Sequence, residues 1–291
     1  MEYIIQNEKL TISVSTKGGE LQSIKSKDGT EYLWPGDINT WPDKAINIFP
    51  YIARLTNGTY EYRGKQYHMS FHGFLPYSEM TLFSKETNKL TLKLSDTEET
   101  FKMYPFHFEY FLHYELCENQ ICIAFEVKNK DNKTMYFGLG GHPGFNVPLE
   151  KELSFEDYKL EFSEKSSPCR IGFSDTCFVT GEREPYELKD ELSIPLSHNL
   201  FDKDAIVLCD MCREVTLKSE KGTKSVKVSY PDMDYLGLWH VPNTKVNYVC
   251  IEPWSSLPSR EGVIENIEKQ ENLITLEAGK TYANRWTVEI V

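Results

Sequence analysis

The sequence predicts an all-β protein, a large antiparallel β-sandwich with few short helices. Three observations carry that expectation: the dominant hydrophobic period is two, alternating runs are joined by short turn sequences, and amphipathic helices are scarce. The first alternating run is LTISVS, residues 10–15, ahead of Gly18-Gly19. TYEYRGKQYHM (59–69) folds back at Arg63-Gly64, and TLFSKETNKLTLKLS (81–95) near Thr87-Asn88. In FHFEYFLHYEL (106–116) every second residue is apolar or aromatic, and after Glu118-Asn119 the alternation resumes through Ile121, Ile123, Phe125 and Val127. That pattern is a long hairpin. Helix is expected only as one turn near Asp37 to Trp41 and, ambiguously, in the acidic stretch SREGVIENIEKQ (259–270).

At 291 residues the chain is long for one domain, yet β-sandwiches reach this size as a single unit. The strand spacing is unbroken by a Pro-, Gly- or Ser-rich linker, so residues 1–291 are expected to form one domain. The net charge of −12, from 32 basic against 44 acidic side chains, opposes nucleic acid and anionic membrane as partners. A small neutral partner is expected instead. No basic, apolar, small-residue leader opens the sequence and no 18-residue apolar run occurs, which points to a cytoplasmic protein. Seven cysteines, an odd number scattered through a long chain, read as reduced thiols. Cys209 and Cys212 form a lone CxxC without the second pair that a structural zinc would want. The sequons at Asn57 and Asn132 read as chance.

An aromatic share of 13% on a β-sandwich suits sugar binding, because ring faces stack on the C–H face of a pyranose while polar groups take its hydroxyls. Four stretches place an ionisable side chain beside glycine, proline or aromatics: NIFPYIARLTNG around Arg54, FHGF around His72, GLGGHPGFNVP around His142 and CIEPW around Glu252. Gly73 lets a backbone or ligand approach His72 closely. His142 follows three glycines and precedes a proline, punctuation that costs stability in a strand unless the local geometry is needed. Glu252 sits in the apolar run YVCIEPW, where burial would raise its pKa and make it a candidate base.

In these stretches, and in EYLWPGD (31–37), LFDKDAIVL (200–208), LGLWHVP (236–242) and CIEPWSSLPSREG (250–262), the sequence resembles the aldose 1-epimerases, or galactose mutarotases, and more closely their shorter bacterial branch. The resemblance covers nearly the whole chain. It implies a galactose mutarotase-like supersandwich with an open cleft across one sheet, acting on a free hexose such as galactose or glucose. It also implies that His142 is the general acid, Glu252 the general base as a carboxylate, and His72 and Arg54 the substrate-orienting pair. An aspartate should hold a ring hydroxyl; SHNLFDKDA offers Asp202, Asp204 and His198, of which Asp204 is preferred. Trp239 would wall the cleft. No metal or cofactor is implied. Where many relatives carry glutamine before the histidine and alanine-arginine after HGF, this chain has Phe71 and Leu75-Pro76.

Other readings compete with this one. A hexose-phosphate mutarotase would want a cationic fork, and a non-catalytic carbohydrate-binding protein of the same fold would lack the acid or the base. A metal-dependent hydrolase finds no HxH or HxxxH pair on likely site elements, although His68 and His72 would share one face of a single strand. His72, expected to face a cleft, should contribute little to the core.

Overall fold

The computed structural model describes residues 1–291. Two large antiparallel sheets face each other. The long hairpin lies in the nine-stranded sheet, with Phe108–Cys117 paired to Gln120–Asn129 and the latter paired on its other edge to Thr281–Ile290. Side chains of the predicted apolar set, from Phe108 to Leu116 and from Ile121 to Val127, are all buried. With a period of two, one face of each strand enters the core while the other meets solvent.

The seven-stranded sheet runs in the order Val179–Pro185, Cys169–Phe173, Ile206–Cys209, Tyr235–Trp239, Tyr248–Trp254, Gly140–Asn146, Ala45–Ile48. A cluster of 65 buried hydrophobic residues reaches from Ile5 to Ile290. Val249 and Ile251, on the inner face of Tyr248–Trp254, belong to it. Smaller sheets flank the pair. Glu2–Gln6, Leu10–Ser15 and Leu21–Ser26 form one, and Thr59–Tyr62 and Lys65–His68 form a hairpin that turns at Arg63 and Gly64, both with positive φ. These hairpins follow the turn signals of the sequence.

Helical structure differs from the expectation in place. The α-helix is Glu98–Met103, where Thr97 and Thr100 cap reciprocally, each side-chain oxygen accepting the other's backbone N–H. Asp37 to Trp41 instead makes a β-turn, with the Asp37 side chain accepting from the Asn39 N–H, which competes with helix formation. Residues 259–270 are turns around a two-residue strand, Glu265–Asn266, tied down by the Arg260–Glu265 ion pair. The seven cysteines are free thiols. No helix is long and apolar enough to cross a membrane.

Candidate active site

The outer face of the seven-stranded sheet carries the site. Alternation along Tyr248–Trp254 sends Tyr248, Cys250, Glu252 and Trp254 to that face, away from Val249 and Ile251. The register that sets Gly140 opposite Trp254 and Gly144 opposite Cys250 places His142 across from Glu252. Their side chains meet: His142 Nε2 lies 3.2 Å from a Glu252 carboxylate oxygen, with both residues buried. The glycines around His142 make room for rings. A Cβ on Gly140 would lie 2.8 Å from the Trp254 ring and 2.7 Å from the Pro253 carbonyl oxygen, and one on Gly144 would lie 2.7 Å from Trp41.

His72 arrives from a tight turn, not from a strand. Its φ is 59° and that of Gly73 is 78°; a Cβ on Gly73 would lie 2.2 Å from the Phe49 carbonyl oxygen, so glycine is required there. His72 therefore does not share a strand face with His68, which ends Lys65–His68 and bonds Thr59. The His72 backbone N–H donates to the Ala53 carbonyl, and His72 Nδ1 accepts from the Ala53 N–H at 3.2 Å. An accepting Nδ1 puts the proton of the neutral ring on Nε2, the nitrogen left for a ligand. The His72 and His142 rings stand 5.5 Å apart, edge to face. Contrary to expectation, the residue is 4% exposed and braces the Ala53 segment, so it does contribute to local structure.

These residues line one cavity of about 340 Å³, together with Arg54, Asp204, Trp239, Trp41, Trp254 and Phe71. That volume falls in the range of small-molecule pockets. Arg54 donates to the Thr176 carbonyl at 3.0 Å and lies over the Phe71 ring. Asp204 lines the cavity and Asp202 does not. Its two oxygens accept from the Ala205 N–H and the Cys177 thiol at 2.8 and 2.9 Å, and burial, then Asp204, pushes that thiol up to about 11. His198 lies away from the cavity, stacked on Phe155 and beside His240.

Sequence reasoning missed Trp41, Trp254 and Cys177 as cavity residues. Trp254 was findable, being two residues from Glu252 on one strand. Trp41 and Trp239 flank His142, with ring centres 5.0 and 5.7 Å away; nothing local in the sequence marks Trp41 or Cys177. Cys250 adds a further donor: its thiol, the His142 nitrogen and the Glu252 carboxylate all lie within 4.8 Å of one another, a group able to hold a metal ion.

Burial dominates the electrostatics. It lifts the Glu252 carboxyl well above its usual range, with the Asp204 charge adding to the effect. It draws His142 down to about 3 and His72 well below 6.5, helped by His142 and Arg54. Burial thus disfavours both the carboxylate form of Glu252 and the imidazolium form of His142. Low-dielectric surroundings favour a carboxylic acid and a neutral imidazole, a pair that is net neutral and holds one exchangeable proton across 3.2 Å. His142 Nδ1 is buried without a hydrogen-bond partner, an arrangement that costs stability and is typical of groups kept for a function.

The family model for aldose 1-epimerase matches residues 1–288. The chain belongs to the aldose 1-epimerase family. Protein LacX of Lactococcus lactis subsp. lactis, in its plasmid form, is 36% identical over 289 residues, covering 95% of this chain and 96% of the relative. A galactose mutarotase related enzyme from Lactobacillus acidophilus superimposes with a TM-score of 0.95 at 32% identity, covering 100% of this chain and 97% of that one. A galactose mutarotase-like protein from Lactobacillus casei gives the same TM-score at 30% identity, with 100% of both chains covered. Family and fold thus support a mutarotase function, the interconversion of the α and β anomers of an aldose.

Proposed function

We propose that this chain catalyses anomer interconversion of a free hexose, with Glu252 and His142 moving the protons and His72, Arg54, Asp204 and Trp239 holding the sugar. The observation that carries the reading is the buried 3.2 Å contact between Glu252 and His142, both of which line the cavity. Transfer of the pair's proton from Glu252 to His142 makes a carboxylate base and an imidazolium acid with no change in net charge. Glu252 then takes the proton of the anomeric hydroxyl while His142 gives one to the ring oxygen. The C1–O5 bond breaks, its electron pair staying on O5, and the O–H pair becomes the C1 carbonyl. Rotation about C1–C2 and reversal of both transfers close the ring on the other face, and return of the proton from His142 to Glu252 restores the neutral pair. His72, donating from Nε2, and Arg54 fix the hemiacetal within reach, and positioned acid–base groups typically contribute about 10² to 10⁴ in rate. Asp204 accepts a hydroxyl, and Trp239 with Trp41 offers ring faces to the sugar.

A second reading has one observation in its favour: Lys17 and Lys203 join Arg54 in lining the cavity, cations that would suit a phosphorylated sugar. Both lysines are exposed, and Asp43 and Asp204 share the wall with them, so the free hexose is the better fit. Polarimetry of freshly dissolved α-D-glucose, α-D-galactose and glucose 6-phosphate tests both. Acceleration of a neutral hexose is expected; acceleration of the phosphate ester alone would favour the second reading. Binding of a sugar without any acceleration would leave a carbohydrate-binding protein.

A further inference from the structure

Cys250 stands two residues before Glu252 on the same strand face, and His142 reaches the same point from the neighbouring strand. The three donor atoms lie within 4.8 Å of one another and all three residues are buried. Zinc takes nitrogen and oxygen ligands at about 2.0 to 2.1 Å, which at a tetrahedral angle sets them about 3.3 Å apart. The His142–Glu252 contact is 3.2 Å, so two ligands already stand at a tetrahedral edge. A thiolate at about 2.3 Å from zinc would sit about 3.6 Å from each of them, and the three donor atoms already lie within 4.8 Å of one another.

We propose that His142, Glu252 and Cys250 form an inhibitory site for a thiophilic divalent cation, Zn²⁺ foremost, with the fourth position open toward the sugar cavity. The charge balance favours it. Binding converts the Cys250 thiol to thiolate and leaves Glu252 as carboxylate, releasing two protons, and the two negative charges neutralise the ion in a buried setting. His142 stays neutral and binds through Nε2. Mg²⁺ and Ca²⁺, which prefer oxygen donors, lack that match. Because protons leave, affinity should rise with pH. The ion would occupy the same two side chains that the proposed mutarotase reaction uses, so occupancy and turnover exclude each other.

The test follows binding and turnover separately, on full-length chain stripped with EDTA. Calorimetry with ZnCl₂ should give one ion per chain, and Co²⁺ should produce a thiolate charge-transfer band in the near ultraviolet. Cys250→Ala and Cys250→Ser should weaken Zn²⁺ by at least about tenfold, the scale on which even outer partners of a metal matter, and should abolish the Co²⁺ band. Metal-free mutarotation should persist in both variants, while stoichiometric Zn²⁺ should stop the wild type reversibly and Mg²⁺ should not. A wild type without the Co²⁺ band, or a folded Cys250 variant that binds Zn²⁺ as tightly as wild type, overturns the proposal. If Cys250→Ala fails to fold, the serine variant decides. Absence of mutarotation in metal-free wild type would defeat the mutarotase reading and leave the binding arms intact to judge the metal site.

Discussion

Glu252 has a raised carboxyl pKa and a nitrogen partner at 3.2 Å, and its substitution is the most direct probe of the chemistry. Glu252→Gln keeps the shape and an acceptor but cannot exchange a proton, so kcat should fall by about 10² to 10⁴, or roughly 3 to 5 kcal/mol of barrier, with sugar affinity nearly unchanged. His142→Asn should match it, and the double variant should lose far less than the sum. Retention of more than about a tenth of wild-type kcat in Glu252→Gln would remove the residue from the role. His72 calls for a finer comparison because it both faces the cavity and accepts the Ala53 N–H. His72→Ala should cost about 1 to 3 kcal/mol of stability, from an unpaired buried donor in addition to strain at positive φ. His72→Asn, which tolerates that backbone, should fold better while still lowering kcat/KM. Equal urea midpoints for the alanine variant and wild type would contradict the bracing contact.

The strand Gly140–Asn146 shows why local sequence can look unfavourable and still be needed. Glycine weakens a strand, but here Gly140 and Gly144 leave space for Trp254 and Trp41, and the Trp41 ring in turn lies 5.0 Å from that of His142. Gly144→Ala should force Trp41 outward, costing about 1 to 3 kcal/mol by overpacking and raising KM more than it lowers kcat. Tryptophan fluorescence and sugar titration would report this; an unchanged KM would mean that the ring does not touch substrate. The hairpin strands behave differently. Phe125 is fully buried in the main cluster, and Phe125→Ala should cost about 3 to 5 kcal/mol in denaturant melts with activity per folded molecule preserved.

Across the whole molecule, pH acts through burial. Adding a proton to the neutral Glu252–His142 pair makes a buried cation, and removing one makes a buried anion. His142 is accordingly held down to about 3 and Glu252 is raised well above 4.5. Activity should stay flat as pH falls through 6.5 and persist on the alkaline side above the ordinary carboxylate range, giving a broad bell of macroscopic values. An acid limb at an ordinary histidine value would refute the neutral pair. The same shifts set stability with opposite signs. Glu252, whose folded value is raised, contributes stability that is present below 4.5 and lost as pH rises toward its folded value; His142, whose value is depressed, contributes stability that is lost as pH falls from 6.5 toward about 3. Glu252→Gln should therefore gain on wild type at pH about 8 relative to pH about 5, by up to about 1.4 kcal/mol per pH unit traversed. Urea midpoints at the two values would check it, and an identical difference at both would count against the raised carboxyl.

What the sequence determined alone is the part of the molecule governed by near neighbours. The period of two set the sheets, and Arg63-Gly64 and Glu118-Asn119 set hairpin turns, because alternation and turn chemistry act over a few residues. Family motifs likewise marked Arg54, His72, His142, Glu252, Asp204 and Trp239, and all six line one cavity. The tertiary structure decided what depends on distant segments: the cross-strand register that sets His142 against Glu252, the Trp41 ring held by Gly144, the thiol of Cys177 on Asp204, and the closeness of Cys250 to the pair. It also decided the charge. A carboxyl is ionised in an isolated peptide, and only the packing of sheet and aromatic rings around Glu252 removes the water that would keep it so.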